Sequence, residues 1–201
     1  MLKVFARAGV SLCLLLLLTS CATTGGSNTV PNVTPNQLFE RGYLNIHAPN
    51  TPGWHLLDAS MGNFALLKKG SAPKETMAAQ VVLFPLKKTY SRDEFLSVIK
   101  QGFYADNEKD RFDVQQVEFN YSDARPYPCV MVNALIKDKK ALVSPNNREP
   151  LLLQTRSLYC RHPKHPDVGF AIIYSHRGEK TDPNLETEAQ SFISGVQVPN
   201  P

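Results

Sequence analysis

Two apolar runs, each carrying one cysteine, constrain this chain more than any other feature: Cys129 to Lys137 (CVMVNALIK) and Leu151 to Arg161 (LLLQTRSLYCR), joined by Asp138 to Pro150. If the runs pair antiparallel about that connection, opposed positions sum to about 288, and Cys129 with Cys160 sums to 289. The thiols then face each other within one residue of register, where a non-hydrogen-bonded antiparallel pair brings Cβ atoms near disulfide distance. Two free buried thiols, or a redox or metal-binding pair, are the competing readings. There is no C-x-x-C spacing and no neighbouring basic cluster that plainly lowers a thiol pKa, so a structural disulfide is favoured.

The surrounding segments read as further strands. Phe112 to Ser122 alternates in two phases, Phe112 and Val114 in one and Val117, Phe119 and Tyr121 in the other, which predicts a bulge near Gln115-Gln116. Val168 to Tyr174 is apolar at nearly every position, as a central strand covered on both faces is. Met77 to Leu86 is a buried strand that Pro85 ends. Trp54 to Ala59 and Phe64 to Leu67 form a hairpin around Ser60-Met61-Gly62-Asn63, where Gly62 and Asn63 accept positive φ at little cost.

Two helices complete the pattern. Ser91-Arg92-Asp93-Glu94 is a capping box, followed by Phe95, Val98, Ile99, Gly102 and Phe103 at helical spacing. Asp182-Pro183 supplies an N-cap and a first-turn proline for a second helix carrying Leu185, Ala189, Phe192 and Ile193, with Gly195 at its end. The expected fold is therefore α+β: an antiparallel twisted sheet of about six to seven strands with two amphipathic helices packed on it, sandwich-like in the α/β/α sense, as one domain over 38–198.

Gly53-Trp54 opening an early hairpin, Ser91-Arg92-Asp93-Glu94-Phe95 opening the first helix and Ser191-Phe192 in the closing one give an order that resembles the PsbP-like superfamily from Gly53 to Val196. The resemblance implies a twisted antiparallel sheet between helices. It implies no particular activity, because members of that superfamily do unrelated things.

The amino-terminal region carries a second resemblance. A basic start (Lys3, Arg7) precedes the uncharged apolar run Ala8 to Leu18, about half the ~20 residues that a membrane-spanning helix needs. Leu18-Thr19-Ser20-Cys21 follows and resembles the lipobox of bacterial lipoproteins. That likeness implies a signal peptide over 1–20, lipidation of Cys21 and, with Ala22 rather than Asp after the cysteine, an outer-membrane lipoprotein facing the periplasm. The membrane is then a partner through the lipid. Ala22 to Gln37 (ATTGGSNTVPNVTPNQ) carries no charge and no apolar period, so 21–37 is expected to be a flexible tether with a root-mean-square span of roughly 20–25 Å.

The net charge is +4, and loss of Lys3 and Arg7 with the leader leaves +2, too little to argue for nucleic acid or a polybasic membrane patch. Signatures of known reaction centres are missing: no G-x-S-x-G elbow, phosphate-cradling glycine loop, H-E-x-x-H or G-x-G-x-x-G occurs. No cofactor is expected. The one local cluster of ligand types is Cys160 with His162, His165 and Asp167, which zinc or copper would accept, although two prolines and a lysine there describe a loop between strands. His47, His55 and His176 are isolated and expected at the surface, and Trp54 is expected as a core anchor. Lys137 to Lys140, Lys68-Lys69 and Lys87-Lys88 are more simply solvated strand ends than a basic patch. The long connection Asp138 to Pro150 carries Ala141, Leu142 and Val143, an apolar trio that folds back on the core or meets a partner. The reading that results is a non-catalytic binding or adaptor module of the cell envelope, with another envelope protein or a small ligand as partner. The alternative is a periplasmic metal or redox accessory protein built on the Cys160-His162-His165 loop.

Overall fold

The computed structural model describes residues 30–87 and 91–199. Its elements in chain order are β1 (Asn32–Val33), β2 (Leu38–Glu40), β3 (Asn45–His47), β4 (Trp54–Ala59), β5 (Asn63–Lys69), β6 (Thr76–Pro85), α1 (Arg92–Asp106), β7 (Phe112–Ser122), β8 (Cys129–Ser144), β9 (Asn147–Arg161), β10 (Val168–Gly178), α2 (Leu185–Gly195) and β11 (Val196–Gln197). Eight strands form one antiparallel sheet in the order β1-β4-β5-β6-β10-β9-β8-β7, and β11-β3-β2 form a second.

This corrects the expected fold class. The described residues form eleven strands and two short helices, a β-rich fold rather than a six-to-seven-stranded α/β/α sandwich. The difference comes from strands too short to carry a period. β1 is two residues long and lies within the stretch 21–37 expected as tether, yet it pairs with β4 (Asn32 with His55, Val33 with Trp54). β2, β3 and β11 are two or three residues each and hold together as a separate small sheet. Cys21, the segment 1–20 and the remainder of the tether through Thr29 lie outside the described residues.

Side-chain alternation sorts the core into two clusters on opposite sides of the large sheet. Val130, Val132, Ala134 and Ile136 of β8 meet Phe95, Ile99 and Phe103 of α1. Cys129 of β8, Leu158 and Cys160 of β9, and Phe170, Ile172 and Tyr174 of β10 instead meet Leu185, Ala189, Phe192 and Ile193 of α2, together with Trp54, Phe64, Leu66 and Ile46. Trp54 is 1% exposed and its Nε1 donates to Thr51 Oγ1 at 3.2 Å, so it serves as the core anchor the sequence suggested. The capping box forms as read: Glu94 N donates to Ser91 Oγ at 3.1 Å and Ser91 N to Glu94 Oε2 at 3.3 Å. The second helix begins later than expected, after Asn184. Asp182 Oδ1 accepts from Asn184 N at 2.9 Å, in the turn that leads into the helix. In the loop between β7 and β8, Arg125 Nη2 donates to Ile193 O and Val196 O at 2.7 and 2.8 Å, satisfying carbonyls at the end of α2.

The β4–β5 turn also departs from expectation. Among the described residues those with positive φ are Asn36, Gly42 and Gly53, not Gly62 or Asn63. Instead Asp58 closes the turn, its carboxylate accepting from Ser60 N at 2.8 Å and Asn63 Nδ2 at 2.6 Å.

Candidate functional site

The register of β8 and β9 pairs Cys129 directly with Cys160, and the two form a fully buried disulfide. The bulge expected in β7 falls between Val114 and Gln116. The connection Asp138 to Pro150, by contrast, is not a loop. β8 and β9 continue through it to a two-residue turn at Pro145-Asn146, with bulges between Asp138 and Ala141 and between Leu142 and Ser144. The trio proposed for partner contact is thereby split along a strand: Ala141 is buried, Val143 half-buried and Leu142 53% exposed. What sequence reasoning missed here is Asp138, fully buried inside the strand. Arg111 Nε and Nη2 donate to its two oxygens at 3.1 and 3.0 Å, Arg177 Nη2 lies 3.3 Å from Oδ2, and Lys140 N donates to Oδ1 at 3.2 Å. Burial pushes the Asp138 carboxyl up, but the Arg111 hydrogen bonds, the Lys140 amide and the Arg177 charge outweigh it and hold it below its usual range.

The cluster at residues 160–167 does not assemble as a ligand set. Cys160 is bridged. His162 is 2% exposed, its Nε2 lies 3.2 Å from Tyr43 O, and its Nδ1 accepts from Lys164 N and His165 N, each at 3.2 Å. With Nδ1 accepting, Nε2 carries the proton and donates, so both nitrogens are occupied and neither is left for a metal. Burial lowers the His162 pKa against the opposing effect of the Tyr43 carbonyl, and the neighbouring His165 and Lys164 lower it further. No group of three or more His, Cys, Asp or Glu among the described residues is placed to hold a metal ion. His162 instead fastens the small sheet's Arg41–Leu44 turn to the β9–β10 connection. His47 is exposed and His55 half-buried, whereas His176, expected at the surface, is 2% exposed, with Nε2 2.7 Å from Glu75 Oε1. The lysine pairs do not form one patch either: Lys69 and Lys87 flank opposite ends of β6.

The structure offers a different site. On its side of the large sheet α2 packs on β9, β10 and β3, leaving β7 and β8 as the floor of an open groove of about 440 Å³. β7 contributes Gln116 and Glu118, β8 Asn133 and Leu135, β9 Gln154 and Arg156, and the approach to α2 contributes Asp182 and Glu186. These are the positions that alternate with the α1-facing residues, which is why one strand set builds both a core and a polar groove. Arg156 is its centre. Its side chain is 18% exposed, with Nη1 3.1 Å from Glu186 Oε1 and 3.5 Å from Asn133 Oδ1, while its buried Nε–H has no acceptor. Gln154 Oε1 accepts from Asp182 N at 2.9 Å, which fixes the wall on the α2 side. The only sequence signal was Gln116 and Glu118 alternating with Val117 and Phe119, which sequence alone does not distinguish from a solvated face.

No protein-family model and no curated protein sequence matches the chain. Among solved structures it is similar to the solution structure of cyanobacterial PsbP (CyanoP) from Synechocystis sp. PCC 6803, at 11% identity and a TM-score of 0.44 over 90% of this chain and 98% of that one. A likeness of that extent carries no conclusion about what this chain does.

Proposed function

We propose that the chain is a lipid-anchored, periplasm-facing binding module of the cell envelope, held in the outer membrane through Cys21, and that the groove beside α2 receives its partner. The Leu18-Thr19-Ser20-Cys21 sequence supports the anchor, and a buried disulfide fits an oxidising compartment. No described helix is long and apolar enough to cross a membrane.

The binding half of the reading rests on Arg156. A guanidinium in a groove floor with one carboxylate partner and an unsatisfied Nε–H is set to gain an acceptor from an incoming group. The lining holds amides and carboxylates but no histidine or cysteine, which suits recognition of a polar small ligand or a polar loop of an envelope protein. The test is a photocrosslinking residue in place of Glu118, read in intact cells. A discrete adduct that Arg156→Glu abolishes supports the groove as the binding site. No adduct at Glu118, Gln116 or Gln154 overturns it.

A further inference from the structure

Among the described residues the large hydrophobic side chains that stand out into solvent are Val30, Leu38, Leu57, Met61, Tyr104 and Leu142, and Met61 is the extreme at 90% exposed. Three of them share one corner. β1 pairs antiparallel with β4, Leu56 N donates to Pro31 O at 2.9 Å, and the same register sets Val30 (44% exposed) beside Leu57 (53%). Met61 sits in the turn at the end of β4 toward which that register carries the chain before β1. Asp58 braces this turn through Ser60 N and Asn63 Nδ2, and Arg41 Nη2 donates to Ala59 O, so Met61 projects from a held turn rather than from a loose loop. Basic side chains stand at the same end: Arg41 on the small sheet, Lys87 just past β6 and Lys164 in the β9–β10 connection, which Leu86 N joins through Asp167 O.

We infer that this corner is a second, non-covalent membrane contact, with Met61, Leu57 and Val30 entering the boundary between headgroups and acyl chains. The inference rests on the proposed lipid at Cys21, which is nine residues before Val30 and so keeps the corner within about 30 Å of the bilayer, the reach of a fully extended chain. At that tether length the apolar corner is the first folded surface to meet lipid, and its basic neighbours match anionic headgroups. The contact fixes orientation: β8 and β9 run away from this end to the Pro145-Asn146 turn, so that turn points away from the membrane.

The experiment uses the mature lipidated protein reconstituted in vesicles of zwitterionic and anionic phospholipid, with Met61→Cys labelled by an environment-sensitive dye. Cys129 and Cys160 are bridged and Cys21 is alkylated by its lipid, so the dye reports one position. Leu142→Cys, an exposed apolar position at the far end, is the control. Brominated lipid is expected to dim the Met61 dye by about half and the Leu142 dye very little, and the dimming at Met61 to be largely lost when Leu57 is also changed to Asp. A Met61 dye that lipid does not dim overturns the inference. If Cys21 carries no lipid, a Cys21→Ser chain is captured on nickel-chelating lipid through a histidine tag before residue 22 and the same dye is read. Loss of the tether is thereby told apart from loss of the corner contact.

Discussion

Replacing Asp138 with Asn tests the energetics of the β8–β9 extension most sharply. The native carboxylate is fully buried and accepts two hydrogen bonds from Arg111 and one from Lys140 N, with Arg177 at 3.3 Å. Removing one member of a buried ion cluster typically costs 3–5 kcal/mol, because the remaining charge is stranded. Arg111 is 39% exposed and can turn to water, whereas Arg177 is 28% exposed and its Nε already lacks an acceptor, so most of the penalty falls on Arg177. The expected loss is about 3 kcal/mol in urea unfolding at pH 7, and Arg177→Met in the Asp138→Asn background should recover part of it. The pH dependence follows from the lowered Asp138 pKa. A carboxylate depressed in the folded state contributes stability that is complete above its unfolded pKa of about 3.9 and is lost as pH falls through the lower folded value. The gap between native protein and variant should therefore be constant above about pH 5 and close below pH 4. A variant within about 1 kcal/mol of the native protein at pH 7, or a gap that widens in acid, would refute the reasoning.

Further outcomes follow from the same framework. Cys129→Ala with Cys160→Ala should lower stability by about 3–4 kcal/mol, the chain-entropy value for a 31-residue separation, in denaturant unfolding; two alkylatable thiols in the unreduced native protein would contradict the bridge itself. His162→Ala should cost about 2 kcal/mol by removing the bond to Tyr43 O, measured by thermal unfolding. Because burial holds the His162 pKa below its usual value, the native protein should also lose stability as pH falls from about 6.5 through that lower value, and His162→Ala should lack this component. Ser91→Ala should cost about 1 kcal/mol by unsatisfying the amide of Glu94, with the loss visible as fraying of α1 in hydrogen exchange.

Much of the fold was legible where a side-chain period ran long enough. The two-phase alternation of Phe112 to Ser122 located its bulge, the cysteine register came within one residue of the observed pairing, and Ser91 with Glu94 marked the start of α1. The fold class failed at the short and the polar. β1, β2, β3 and β11 are too brief to show a period. The outer part of β8 was hidden because a buried aspartate between lysines reads as a turn until Arg111 and Arg177 arrive from distant sequence to neutralise it. The groove was illegible for a related reason. Whether a polar strand face meets water or a partner depends on where α2 begins, and Gln154 of β9 fixes that by accepting from Asp182 N, not β7 or β8. At the His162 cluster, residue type alone says nothing of ring nitrogens already spent on backbone.

The most direct measurement for the account as a whole is the intact mass of the native chain purified from envelope membranes. The account predicts a polypeptide beginning at Cys21 and heavier by a thioether-linked diacylglycerol and an amide-linked acyl group. A chain that begins at Met1 and carries no acyl group, recovered from the soluble fraction, would contradict it.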